Sequence, residues 1–551
     1  MCNIIIYVIN QKNIFEAFRK SERFLFYVNN RRALVRLLGR KKIYTDYSEI
    51  TADNIIEVLG KSYAKHRKNV LEINFLIDYE RGIQPLKREK KIRSDIDVRV
   101  NSNLANYVKE FKLGYNWSDP IMLVQRGDKE MHATNATIDD SGISGLNEML
   151  CNGENIAYKD QSMGEFVEIC GVGYKMVDIK TDFSNPVLKD EKFVESLVNV
   201  YSLDSRYAFC VYHNGPGEKK LMGVSFRKSG GKNYFTCFTD KWRFEIIAGK
   251  VIRQEKNPME AVPIVEYERS FDRTGCFERE LSKMDALNIL LSDFTNDVSQ
   301  RTQEMWWGDN IDFKKDEKTG ETIKPKSGDW ILTYSADGKV AKIAPLSSSF
   351  DTSGTLAAIK NLRTEIFQDC KVPIQYDSSG GGSTGIATDM SSGWSATELD
   401  ARREQQMTER GKREELKLIL KAITFVPENV LPMGHPIRNV HITDVNFHFN
   451  RRRNYDLINK ANFVAQMINL GFNGRHVLKE AEVFPDVEQV WNDSKEIVEA
   501  IQQSKISSTT AQNDDENVDT NERLAADNSD QISNSPILDG TAIQQDSKGG
   551  D

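Results

Sequence analysis

The run from Tyr376 to Trp394, YDSSGGGSTGIATDMSSGW, has the composition of a phosphate-cradling loop, because glycines let backbone N–H groups approach an anion closely. Its spacing argues otherwise. A P-loop reads G-x-x-x-x-G-K-[ST], in which the lysine reaches the terminal phosphates and the hydroxyl holds magnesium. Gly380 and Gly385 have that glycine spacing, but Ile386 and Ala387 stand where the lysine and the hydroxyl belong. A dinucleotide fingerprint needs a strand before the glycines and a helix directly after them. Here DCKVPIQYD precedes, with Pro373 closing a helix. What remains is an inter-domain linker or a mobile loop that touches a variable partner.

Other chemistry is sparse. His435, His441 and His448 lie near one another, but steps of six and seven residues fit neither helical i, i+4 ligands nor one face of a strand throughout, so they read as ordinary histidines. No H-E-x-x-H, G-x-S-x-G or paired-carboxylate motif occurs. The seven cysteines include no C-x-x-C pair, which argues against zinc ribbons and disulfides and fits reduced intracellular thiols. The expectation is a protein that is not an enzyme and needs no cofactor or metal.

Charge narrows the partners. Between Gln503 and Asp551 ten acidic residues face Lys505, Arg523 and Lys548, a net of −7 that equals the formal charge of the whole chain. The preceding residues are therefore balanced, unlike a protein that grips DNA by neutralising phosphates. The tail itself, rich in Ser, Asn and Asp, lacks the apolar surface to offset its ordering entropy and reads as disordered. The apolar run Ile4–Ile9 is far shorter than the roughly 20 residues that span a bilayer, so no membrane is expected.

A chain of 551 residues exceeds one ordinary core. The basic run QPLKREKKIRSD, 84–95, reads as a solvated face. A strand at Ile121–Arg126, helix-like pieces over 145–168 and a strand in GYKMVDI lead into YAFCVYHNGPGEKKLMGVSFRKSGGKNYFTCFTDKWRFEII. Its HNGPG and KSGGKN turns mark an antiparallel meander, so 120–270 reads as one α+β unit. Long helices follow. Phe277, Leu281, Met284, Leu287, Leu291, Phe294 and Val298 recur at helical steps, and the helix they imply runs to near WWGDN. A second is expected over 351–371. Between them, Ile311–Phe313, Trp330–Tyr334 and Val340–Ile343 read as a small β insert. A third helix, SATELDARREQQMTERGKREELKLILKAI, is polar on nearly every side in its first half. That pattern suggests contacts with other copies, with Gly411 as a kink point.

The order of these parts resembles bacteriophage portal proteins of the type found in siphophages of Gram-positive hosts. EINFLIDYERGIQPLKREKKIRSDIDVRVNSNLANYVKEFKLGYNWSDPIML carries a Tyr-x-x-Gly element, a basic patch, an Asn-containing helix and K-x-G-Y-x-x-x-x-P-I. AVPIVEYERSFDRTGCFERELSKMDALNILLSDFTNDV is similar to the family's V-P-I-V-E-[YF] strand, Gly-x-[FL]-E turn and D-A-L-N helix start. VNFHFNRRRNYD and MINLGFNGRHVLKEAEVFPDVEQ resemble its closing segment, so the likeness covers roughly 73–498.

The resemblance implies an α+β portal fold assembled as a homo-oligomeric ring of about twelve subunits at one capsid vertex of the virion, assembled in the host cytoplasm. It places a wing at 54–275, a first stem helix at 276–308, a clip at 309–345 and a second stem helix at 346–371. A channel loop follows at 372–394, a long channel-side helix returning to the wing at 395–454, and a helical crown at 455–502. Residues 1–53 are left unassigned and 503–551 form the acidic tail. It further implies double-stranded DNA in the channel, packaged and ejected there. Implied partners are the terminase large subunit, major capsid and scaffolding proteins, and a head-completion (adaptor) protein. DNA-facing candidates are Lys371, Tyr376, Ser379, Gly380, Gly381, Gly382, Ser383, Thr384 and Gly385. Lys314, Lys315, Trp330 and Tyr334 are candidates for partner docking at the clip. The alternative is another virion ring, in a tail or baseplate, that translocates no DNA.

Overall fold

The computed structural model describes residues 39–84, 86, 96–125, 141–183, 187–189, 192–301, 306–309, 342–345, 352–374, 393–449, 451, 456–481, 483–484, 490–491 and 494. The chain divides into two units, 1–453 and 454–551. The meander expected from the turns forms the centre of a six-stranded sheet: β7 (Ala208–His213), β8 (Lys220–Ser229), β9 (Lys232–Phe238), β10 (Trp242–Ile247) and β11 (Lys250–Lys256) pair antiparallel in sequence order. Gly230 and Gly231 both take positive φ, so the β8–β9 hairpin closes with the two left-handed residues that match strand twist. The other edge is β1 (Ile43–Thr45), parallel to β7 with Ile43 opposite Val211. Residues 39–45 thus belong to the folded body, and Arg40, which is buried, donates to Glu278 at 2.5 Å.

Helix α1 (Ile55–Glu80) covers this sheet with Ile55, Val58 and Leu59, three residues on one face. Its second half joins α2 (Leu104–Trp117) in another core with Phe277, Leu281, Met284 and Leu287. A smaller sheet orders β12 (Ile264–Glu268), β3 (Val172–Ile179) and β6 (Val198–Leu203). β2 (Met122–Gln125) pairs with β15 (Val445–His448), and β4 (Leu188–Lys189) with β5 (Lys192–Phe193). α3 (Ser141–Glu148) and α4 (Ile156–Cys170) pack beside them.

The helix expected to run from Phe277 to near WWGDN is shorter. After a 3-10 turn at Glu278–Glu280, α5 spans Leu281–Arg301, and Trp306–Asp309 is instead strand β13, antiparallel to β14 (Lys342–Pro345). The aromatic pair Trp306–Trp307 suits a pleated surface as well as a helix. The expected strands 311–313 and 330–334 lie outside the described residues, as do 84–95 in large part. α5 also has a polar stripe that its apolar period conceals. Asn288, Ser292 and Asn296, all buried, receive the backbone N–H groups of Ser102, Val100 and Val98 at 2.8–3.0 Å. Four helical residues rise about 6 Å and two extended residues about 6.6 Å, so the i, i+4 ladder stays in register with alternate residues of the neighbouring chain. α6 (Thr352–Asp369) packs on α5.

Helix α7 (Trp394–Ile423) departs most from expectation. It lies against β12 and β3 of its own chain, and its polar side is buried there. Lys412 binds Asp160 at 2.6 Å, Glu415 lies 3.0 Å from Lys175, and Lys175 also pairs with Asp160. The Tyr267 hydroxyl donates to Glu415. Glu415 keeps its charge despite burial because Lys175 and Lys412 hold its pKa near about 2. Gly411 is not a break: the helix continues through it, and a Cβ there would stand 2.6 Å from the Tyr267 ring. That ring is buried and tethered, so it cannot yield cheaply. Gly411→Ala is expected to lower unfolding free energy by about 1–3 kcal/mol in chemical denaturation, the cost of overpacking.

The second unit contains α8 (Asp456–Asn469) and α9 (Gly474–Ala481), packed on each other. Among the described residues no helix is long and apolar enough to cross a membrane.

Candidate functional site

The 372–392 segment leaves α6 and returns at α7, and the two departure points are fastened together. Lys371 sits in the turn after α6 with φ of +55°, and its carbonyl accepts from Thr397 Oγ1 at 3.0 Å. The same hydroxyl lies 3.2 Å from the Gly393 carbonyl. Gly393 takes φ of +86°, which a glycine adopts without strain, and lets α7 start at once with Trp394. Trp394 packs against Phe111 and Tyr115 of α2, ring centroids 6.0 and 5.8 Å away. Tyr115 in turn donates to Glu398 at 2.5 Å, and Arg451 binds Glu398 at 2.8 Å. A linker would carry the chain to another body, whereas this segment rejoins the one it left, which is the geometry of a loop.

Beneath the loop's feet lies a charged cluster. Arg269 reaches Glu168 of α4 and Asp400 of α7, each at 3.1 Å, and Lys112 of α2 binds Asp400 at 2.8 Å. Glu404, one turn after Asp400, stands 3.4 Å from Arg269. Burial works against the Asp400 charge, but Lys112 and Arg269 outweigh it and hold the carboxyl below its usual range. Glu168 is likewise held low, Arg269 overcoming its burial. Glu404 goes the other way: burial and the adjacent Glu168 carboxylate push its pKa well up. The cluster borders a cavity of about 150 Å³ that Lys371, Arg403 and Arg279 also line.

Of the residues singled out in the sequence, Lys371 is therefore at the loop's foot and at this cavity. Tyr376, Ser379, Gly380, Gly381, Gly382, Ser383, Thr384 and Gly385 lie outside the described residues, as do Lys314, Lys315, Trp330 and Tyr334. His435 caps a 3-10 turn, accepting from the Ile437 N–H at 3.3 Å. Among the described residues no group of His, Cys, Asp and Glu could hold a metal. Sequence reasoning missed Thr397, Trp394 and the cluster around Arg269. The i, i+4 pair Asp400 and Glu404 was visible, but on a helix polar all round nothing separates a buried acid from a solvated one.

Comparison with protein families matches residues 59–507 to the family described as phage portal protein, SPP1 Gp6-like. The chain belongs to that family. The match takes in both helices that flank the loop, the small strand pair β13–β14 and the α8–α9 hairpin. No curated protein matches this portal protein. Members of the family are structural components of the phage virion, and the α+β architecture described above agrees with it.

Proposed function

We propose that the chain assembles into a ring of about twelve subunits whose axis is the channel for double-stranded DNA during packaging and ejection. In this reading α5 and α6 form the stem, the β13–β14 region the clip, residues 54–275 with β15 the wing, and α8 and α9 the crown. The 375–392 loop faces the DNA, with Lys371 at its base and Tyr376, Ser379 and the 380–385 run as contacts. The observation that carries the reading is the fastened pair of feet within a portal-family chain: Gly and Ser give the loop many backbone states, and the Thr397 tie and Trp394 fix where it starts. Such a loop can follow a helical polymer whose grooves do not match the ring's symmetry at low strain. The balanced charge of residues 1–502 suits a surface over which DNA slides, because many phosphate contacts would hold it fast.

The clip, with Lys314, Lys315, Trp330 and Tyr334, is the proposed docking surface for the terminase large subunit. Capsid, scaffolding and head-completion proteins are the other proposed partners. The loop lacks the Lys-Ser/Thr pair of a P-loop, so the force for packaging comes from a separate ATP-driven motor in this scheme. Light scattering of the purified protein is expected to give a mass of about twelve chains or one more. A stable monomer at micromolar concentration would overturn the proposal.

A further inference from the structure

Between the C-terminal turns of α7 and residues 433–442 lies a groove of about 550 Å³. Leu420, Met433, Val440 and Ile442 give it apolar walls, and Met433 is 64 % exposed. Lys417, Lys421 and Arg438 line it as well, and no aspartate or glutamate does. Arg438 is held by backbone carbonyls, its Nη2 donating to Val426 at 2.8 Å and to Leu431 at 2.9 Å. Its buried Nε has no hydrogen-bond partner among the described residues. Lys421 lies 3.5 Å from the Glu260 carbonyl oxygen, and among the described residues neither lysine nor Arg438 pairs with a carboxylate.

Three cations around apolar walls call for an acidic segment that also carries bulky apolar side chains. Carboxylates answer the ammonium and guanidinium groups, and apolar side chains take the walls out of water. A DNA backbone supplies only the first. The chain itself contains such a segment. Between Arg523 and Lys548 stand Asp527, Asp530, Asp539 and Asp546, with no lysine or arginine. Ile532, Ile537, Leu538 and Ile543 lie among them, and Ile537 with Leu538 is the only adjacent pair of bulky apolar residues after Gln503. We infer that residues 524–547 bind in this groove, Ile537 and Leu538 against its apolar walls and the flanking aspartates at Lys417, Lys421 and Arg438. Every chain that bears the groove also bears this segment, so the two meet at a local concentration on the order of millimolar, which a free partner has to match.

Treatment of the full chain with a water-soluble carbodiimide tests this, because the reagent joins a carboxylate and an ammonium that touch through an amide bond. Mass spectrometry of the digest is expected to find the four aspartates linked to Lys417 and Lys421. Links to Lys228 and Lys250, exposed lysines of the meander, are expected to be rarer by about tenfold. Ile537→Ser combined with Leu538→Ser keeps every carboxylate and leaves every described residue unchanged. That variant is expected to lose about tenfold or more of the groove links, since the apolar contribution is gone. Met433→Ser, at a side chain already exposed, is expected to lower them from the groove side. Links spread evenly over exposed lysines would overturn the inference. Groove links that survive Ile537→Ser with Leu538→Ser at the wild-type level would overturn it too, because charge attraction alone would then account for them.

Discussion

Lys175→Met is expected to lower the unfolding free energy of the 1–453 unit by about 3–5 kcal/mol. The wild-type centre under α7 is balanced: Lys175 and Lys412 against Asp160 and Glu415, all four buried, with Tyr267 donating to Glu415. Removing one ammonium leaves two carboxylates and one cation in a place water does not reach, and the unpaired charge accounts for most of the cost. The cost is not the net worth of the cluster, because taking out opposite charges together can be close to neutral. Lys175→Met combined with Glu415→Leu is therefore expected to recover much of the loss, with Lys412 still on Asp160. Chemical denaturation of both variants checks this, and a change under about 1 kcal/mol for the single substitution would show that the cluster is hydrated. Acid gives an independent handle. Glu415 has a folded-state pKa near about 2, below its ordinary 4.5, so its contribution is complete above that ordinary value and is lost as pH falls from there toward the folded value.

Shortening the loop through Gly380–Gly385 is expected to leave rings of normal mass and appearance while DNA-filled heads fall sharply. The first half of the expectation follows from the feet. Thr397, Lys371 and Trp394 keep their contacts when the middle of the loop is removed. The second half follows from the proposed contact with DNA, which a shorter loop no longer makes at each subunit. Counting full and empty capsids made with intact and shortened loops reads both. Equal filling would reduce the loop to a passive connector, and loss of the rings would make it a structural element.

What could be read from the sequence was what is decided locally. The β7–β10 meander was legible because its turns, HNGPG and KSGGKN, are specified by two or three adjacent residues, and the α6 and α7 boundaries because Pro373 and the glycine run bracket them. Parallel pairing of Ile43 with Val211 joins segments far apart in the 1–453 unit, and nothing near Ile43 signals it. Buried polar side chains were the other blind spot. Asn288, Ser292 and Asn296 fall outside the apolar period that marks α5 in the sequence, and Asp400 and Glu404 lie in the half of α7 that is polar on nearly every side. In both cases the polar residues face chain segments far away in sequence, and a polar residue with a distant buried partner looks the same in sequence as one in water. One face of the polar half of α7, with Thr397, Glu404 and Thr408, is buried within the chain, while Arg402, Arg403 and Arg410 stay exposed and available to other copies. Of the candidate site, composition revealed the loop and Lys371 at its edge, while the tie through Thr397 needed the fold to bring residues 371 and 397 together.

The most direct measurement is an averaged electron-microscope image of purified particles viewed down their symmetry axis. The portal reading predicts a closed ring of about twelve subunits around an opening wide enough for a DNA duplex, narrowed where the 375–392 loops gather. Particles without symmetry, or a ring whose centre is filled by ordered protein, would contradict it.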